Sequence, residues 1–158
     1  MKRFLVLVLA AAMMLGCSAS AFAKASPETR HVFYSSTPSA KAAHMDVTDG
    51  NAVHGNWAYD AAADTWTCKR NDGTQMAGGW FLVRSANGKA QWYLFDGAGR
   101  MLTGWVWVKG ADGVGRCYYL NPVSNGTRGA CYLDGRTPDG WMVNASGAWA
   151  VNGVVQTK

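Results

Sequence analysis

A Gly-Trp pair recurs at a fixed interval in this chain. Gly79-Trp80 and Gly104-Trp105 lie 25 positions apart, and Trp92 falls between them. Trp80 continues into Phe81-Leu82-Val83 and Trp92 into Tyr93-Leu94-Phe95. Short aromatic and β-branched runs of this kind suit strands. Asn87-Gly88 between them is a hairpin turn signal. A shift of 25 positions carries Trp80-Phe81-Leu82-Val83 onto Trp105-Val106-Trp107-Val108, Trp92 onto Cys117, and Asn87-Gly88 onto Asp112-Gly113. A second shift carries Gly104-Trp105 onto Gly129-Ala130, where the aromatic is lost. Fixed-period self-similarity marks a repeat architecture, in which each unit buries its apolar face only against its neighbours. The expected fold is all-β, a solenoid of stacked β-hairpins.

The pattern extends in both directions. Asn56 to Asp60 and Thr65 to Lys69 read as an earlier hairpin carrying Trp57 and Trp66, expected to serve as an N-terminal cap. Beyond Leu120 the period loosens. Cys131-Tyr132-Leu133 reads as a short strand and Thr137-Pro138-Asp139-Gly140 as a turn. Trp141 to Asn144 and Ala148 to Val151 form a last hairpin about Ala145-Ser146-Gly147. Outside the first residues no stretch carries helical periodicity.

The chain opens as an export signal. Lys2 and Arg3 precede the uncharged apolar run from Phe4 to Leu15, and Ala21-Phe22-Ala23 is a small-residue cleavage site. The run is short for a bilayer span, which needs about 20 apolar residues. Residues 1–23 are therefore expected to be a signal peptide and the mature protein to be secreted, on the cell wall or cell surface. Met14-Leu15-Gly16-Cys17 supports an alternative: a lipoprotein anchored through Cys17 on the outer face of the membrane. Residues 24–54 are rich in Ser, Pro and Ala and contain no tryptophan, which reads as a flexible linker. His31-Val32-Phe33-Tyr34 is the one candidate strand within it. Residues 55–158 are the repeat domain. The formal net charge of +5 includes Lys2 and Arg3. What remains suits an anionic wall polymer and is too small and scattered for nucleic acid.

The succession Gln91-Trp92-Tyr93-Leu94-Phe95-Asp96, then Gly99-x-Met101-x-Thr103-Gly104-Trp105, resembles the cell-wall-binding, or choline-binding, repeats of Gram-positive surface proteins. The closing segment from Gly140 to Gln156 resembles the end of such arrays. The likeness covers residues 55–158. It implies a hairpin solenoid whose aromatic rows hold a partner in the wall: choline-substituted teichoic acid, a peptidoglycan-associated polymer or another glycan. Three departures bear on the ligand. The hairpin tips are enlarged, Cys117 stands in the place of Trp92, and Ala130 stands where a tryptophan should recur.

The residues expected to bind ligand are Trp80, Trp92 and Trp105, flanked by Tyr93, Tyr118 and Tyr119. Quaternary ammonium groups have no N–H to donate and are recognised by the faces of aromatic rings; sugars stack on the same faces. The three tryptophans are expected to converge at one seam. The next seam, with Cys117 and Ala130, is expected to bind poorly. Alternate strand residues face opposite sides, so one of Tyr118 and Tyr119 is expected to pack and the other to face outward. Met101 is expected to pack. The competing reading of every ring is core, because so thin a fold must bury its large side chains somewhere.

No catalytic residue, metal site or cofactor is expected. His31, His44 and His54 lie in or beside the linker, away from any nucleophile motif. Asp72, Asp96, Asp112, Asp134 and Asp139 sit at turns, where carboxylates cap the backbone. Cys68, Cys117 and Cys131 form no C-x-x-C pair. A Cys117–Cys131 disulfide is one arrangement, and burial as small apolar groups is the other. The function expected is non-catalytic binding of wall polymer. Its alternatives are a structural or adhesive surface protein and a targeting module for a cell-wall hydrolase system.

Overall fold

The computed structural model describes Pro27 and residues 33–35, 52–84 and 88–158. The leader at residues 1–23 with Cys17, most of the 24–54 linker, and Asn87 lie outside the described residues. Strands in chain order are β1 Phe33–Ser35, β2 Val53–Asp60, β3 Thr65–Arg70, β4 Gly79–Arg84, β5 Ala90–Phe95, β6 Gly104–Lys109, β7 Gly115–Leu120, β8 Gly135–Arg136, β9 Met142–Val143, β10 Trp149–Val151 and β11 Val154–Val155. The architecture is all-β, with no α-helix among the described residues.

Three antiparallel hairpins, β2–β3, β4–β5 and β6–β7, make up most of the domain, and a four-stranded sheet of order β11-β10-β9-β8 closes it. β1 falls inside the stretch read as a linker and pairs in parallel with β6. The turn after β5 shows how each hairpin is left. Asp96 N–H donates to Arg100 C=O and Gly99 N–H returns to Asp96 C=O, while Asp96 Oδ1 accepts the amides of Ala98 and Arg100. Gly99 takes φ +79, the left-handed conformation that a side chain resists. Asn144 organises the turn between β9 and β10 in the same way, its Oδ1 accepting Ser146 and Ala148.

After β7 the equivalent turn is enlarged. Asn121 N–H reaches Ala130 C=O across a loop of residues 121–129, and Asn121 Nδ2 donates to Asn125 and Thr127. This insertion moves the recurrence. Gly79 pairs with Phe95 and Gly104 with Leu120, but the next glycine in this register is Gly135, opposite Val143, rather than Gly129. Cys131-Tyr132-Leu133, expected as a strand, makes a single bridge from Cys131 to Leu120. The Thr137–Gly140 turn joins β8 to β9.

Connecting segments tie each hairpin to the one before. Met101 N–H donates to Trp66 C=O of the first hairpin and Leu102 N–H to Leu94 C=O of the second. One unit later Cys131 N–H donates to Trp92 C=O and Tyr132 N–H to Tyr119 C=O. These bonds set the correspondence between layers: Trp66 matches Trp92, and Met101 matches Cys131.

Apolar side chains emerge on both faces of the middle hairpins, so a core forms at every junction. Cys68, Met76, Val83, Tyr93 and Phe95 meet between the first and second hairpins, with Trp57, Trp66 and Phe81 against them. Trp80, Leu94, Val106, Val108, Tyr118 and Leu120 meet between the second and third. Trp105, Trp107, Cys117 and Tyr119 meet Val143 and Trp149 at the closing sheet. Tyr118 and Tyr119 do alternate sides, as strand geometry requires, yet both are buried, 1% and 6% exposed. The expected outward tyrosine is absent because β6–β7 is covered on both faces. The thiols of Cys68 and Cys131 are free, so no disulfide joins Cys131 to Cys117, and Cys68 and Cys117 are fully buried. Burial pushes the Cys68 thiol up to about 11.

Candidate functional site

A cavity of about 310 Å³ opens at the first junction, lined by Trp57, Trp66, Tyr93, Met101, Ser124, Gly126 and Arg128. That volume lies at the lower end of small-molecule sites, which run from roughly 300 to 1,000 Å³. Trp57 on β2 and Trp66 on β3 bring rings from the first hairpin. Tyr93 on β5 brings one from the second, and Met101 comes from the segment that bonds to both. Trp57 meets Tyr93 edge-on, with centroids 4.9 Å apart and planes at 63°. Such a pair contributes about 0.5–1.5 kcal/mol beyond its buried area and holds both rings in place. Tyr59 lies against Trp66 with ring centroids 5.1 Å apart and planes tilted at 47°. Burial, with a smaller contribution from Cys68, pushes the Tyr93 phenol up to about 12, so its ring is neutral at ordinary pH.

The enlarged loop adds Ser124, Gly126 and Arg128 to the lining. Arg128 reaches back from the third unit to the end of the first hairpin. Its Nη1 donates to Asp64 Oδ1 at 3.0 Å, and its Nη2 donates to Asp64 Oδ2 at 3.1 Å and to the Asp64 carbonyl at 3.2 Å. Tyr59 Oη donates to the same carboxylate at 2.7 Å. The Arg128 hydrogen bonds first, and then that from Tyr59, hold the Asp64 carboxyl down at about 2. Since this value is depressed, the tie is complete above the ordinary carboxylate range and is lost only as pH falls towards 2. The carboxylate side chain is 71% exposed, so salt screens the pair. Arg128 Nε is buried and has no acceptor among the described residues.

The six residues expected to bind ligand are shared among three junctions. Tyr93 alone lies in the first. Trp80, Trp92 and Tyr118 meet in the second, where Trp80 and Tyr118 repeat the edge-on geometry of Trp57 and Tyr93 at 5.0 Å and 69°. Trp105 and Tyr119 face the third, at the closing sheet. The three tryptophans therefore do not converge: Trp80 and Trp105 project from equivalent faces of successive layers and so enter different junctions. Trp80, Tyr118, Trp105 and Tyr119 are all buried, whereas Trp92 is half-buried against the second core. Trp105 Nε1 donates to Asp139 Oδ2 at 2.8 Å, and the Trp80 and Trp92 indoles have no acceptor among the described residues. Trp57, Trp66 and Arg128 were outside the expected set. The spacing of Trp66 to Trp80, one residue longer than that of Trp92 to Trp105, is the signal that ties the first unit to the repeat.

No protein-family model matches the chain, and no curated protein does. Among solved structures, the modular Cpl-1 endolysin complexed with a peptidoglycan analogue matches with 27% identity over 63% of this chain and 25% of that one, at a TM-score of 0.45. Choline binding protein F from Streptococcus pneumoniae matches with 21% identity, 61% and 47% coverage and a TM-score of 0.15. The choline-binding domain of CbpL from Streptococcus pneumoniae matches with 19% identity, 62% and 77% coverage and a TM-score of 0.17. This chain thus spans a quarter of the endolysin and under half of the choline binding protein. All three TM-scores fall below 0.5, so the function of this chain is read from its own residues.

Proposed function

We propose that the chain is an exported, non-catalytic module of a cell-wall-binding hairpin solenoid. In this reading it holds choline-substituted wall polymer by taking a quaternary ammonium group into the cavity between its first two hairpins. The observation that carries this is the convergence of Trp57, Trp66, Tyr93 and Met101 on one cavity. A quaternary ammonium offers no N–H, so a site for it needs ring faces rather than acceptors. Each ring contributes roughly 0.5–2 kcal/mol. Three rings then supply a few kcal/mol, corresponding to about millimolar affinity. A polymer bearing many such groups is retained through effective concentration rather than through one tight contact.

Trp66→Ala tests the site. Trp66 is half-buried at the cavity wall, so the variant is expected to stay folded by circular dichroism. Its affinity for choline, followed by isothermal titration, is expected to fall by roughly 2- to 30-fold. Unchanged affinity in a folded variant would mean that the ring is architecture.

Export is the second part of the reading and rests on Lys2, Arg3, the apolar run and Ala21-Phe22-Ala23. Mass spectrometry of the protein recovered outside the cell is expected to show Lys24 as the first residue. A lipidated N-terminal Cys17 would replace that processing with the lipoprotein route, and an intact Met1 on protein confined to the cytoplasm would rule out both.

A further inference from the structure

The second and third hairpins each carry a strand from upstream on the edge of their first strand. Val53 and His54 of β2 lie parallel to Val83 and Arg84 of β4, and Tyr34 and Ser35 of β1 lie parallel to Val108 and Lys109 of β6. Val83-Arg84 and Val108-Lys109 are one 25-residue period apart, so the two upstream strands sit on equivalent places of successive hairpins. They differ in how they are held. β2 is also paired with β3 from Gly55 to Asp60, whereas β1 is three residues long and pairs with β6 alone among the described residues. Residues 36–52 separate β1 from β2.

The other edge of the third hairpin is closed separately. Thr157 bridges Arg116, and Lys158 and Gly115 exchange both backbone hydrogen bonds. The Lys158 ammonium lies over the Trp107 ring, 4.4 Å from its centroid. Release of β1 therefore opens the β6 edge and leaves the β7 edge covered. The β6 sequence, Gly104-Trp105-Val106-Trp107-Val108-Lys109, is aromatic and β-branched, contains no proline and ends on a single charge. A strand of this kind with unpaired N–H and C=O groups is a template for pairing with another chain. Two copies meeting about a two-fold axis would join their hairpins into one sheet of order β7-β6-β6-β7.

We propose that β1 is a releasable strap over the outer edge of β6, and that this edge, once uncovered, is a docking surface for the same edge of a second copy. The surface is independent of the cavity and of its ligand.

Successive N–H groups of a strand point to opposite sides, so Phe33→Pro combined with Tyr34→Pro removes a donor towards β6 whichever residue supplies it. Light scattering on the purified protein after size exclusion is expected to give the monomer mass for wild type and twice that mass for the double variant. By hydrogen exchange, the amides of Trp107, Val108 and Lys109 are expected to remain protected in that dimer. A synthetic peptide of residues 30–38 is added at about millimolar, the effective concentration that a short linker supplies in cis. It is expected to return the variant to monomer, and the peptide carrying the same two substitutions is expected to have no effect. Phe33→Gly combined with Tyr34→Gly weakens a strand while keeping its N–H groups. It is expected to give a mixture of the two masses, and it decides the matter if circular dichroism shows the proline variant unfolded. Variants that stay monomeric with faster β6 exchange would overturn the docking surface, and monomeric variants with unchanged exchange would overturn the strap too. A wild type that is already dimeric would also overturn the strap. A dimer that the peptide leaves intact would place the interface elsewhere and overturn the proposal.

Discussion

Trp80→Ala is expected to destabilise the domain by roughly 3–5 kcal/mol, the cost of deleting a large buried aromatic. Trp80 is 6% exposed and sits edge-on against Tyr118, among Leu94, Val106 and Leu120, at the junction of the second and third hairpins. Domains have only about 5–15 kcal/mol of stability in total, so this loss is a large share of it. The urea midpoint of the variant should fall accordingly, with its slope unchanged if unfolding remains two-state. Choline affinity of the folded fraction should stay near that of wild type, because the ring lies one junction away from the cavity. A small stability change with lost binding would move the ligand site to the second junction and contradict the placement given above.

Gly129→Ala is expected to cost stability and binding together. Gly129 has φ +84, and a Cβ there would meet the Met101 sulfur, with its Cγ at 2.8 Å and Cε at 2.7 Å. A side chain in that conformation costs about 1–2 kcal/mol, and overpacking adds about 1–3 kcal/mol more. Met101 is 4% exposed and forms one wall of the cavity, so it has little room to give way except into the site. Thermal unfolding and choline titration should therefore move together in this variant, unlike in Trp66→Ala. A variant with wild-type melting and wild-type affinity would show that Met101 repacks freely.

Hairpin content was legible because the signals for it are local. Gly-Trp starts, aromatic runs and Asp- or Asn-led turns each constrain only a few neighbouring residues, and β2 through β7 and β9–β10 follow them closely. Sidedness was less so. Alternation within β6–β7 is visible in the sequence, but whether one face or both are covered depends on what comes to lie on each, and here both Tyr118 and Tyr119 are enclosed. Position along the array was hardest to read. The insertion at residues 121–129 breaks the 25-residue period, so the shift that aligns Trp80 with Trp105 leads to Gly129, while hydrogen bonding aligns Gly104 with Gly135. The same insertion carries Arg128 back to the first unit, which no periodic pattern encodes. Trp57 and Trp66 read as an end cap because nothing before them repeats; in three dimensions an end layer still shares a junction with its neighbour, and that junction holds the cavity.

The Arg128–Asp64 tie also bears on how the array melts. Arrays whose units touch only their nearest neighbours unfold as a one-dimensional chain, and their ends fray independently. Here a contact joins the first unit to the third across the second. Fraying of the first hairpin must then also break a bond to a layer two steps away, so the opening of that end depends on the third unit as well as the second and becomes easier as salt screens the pair.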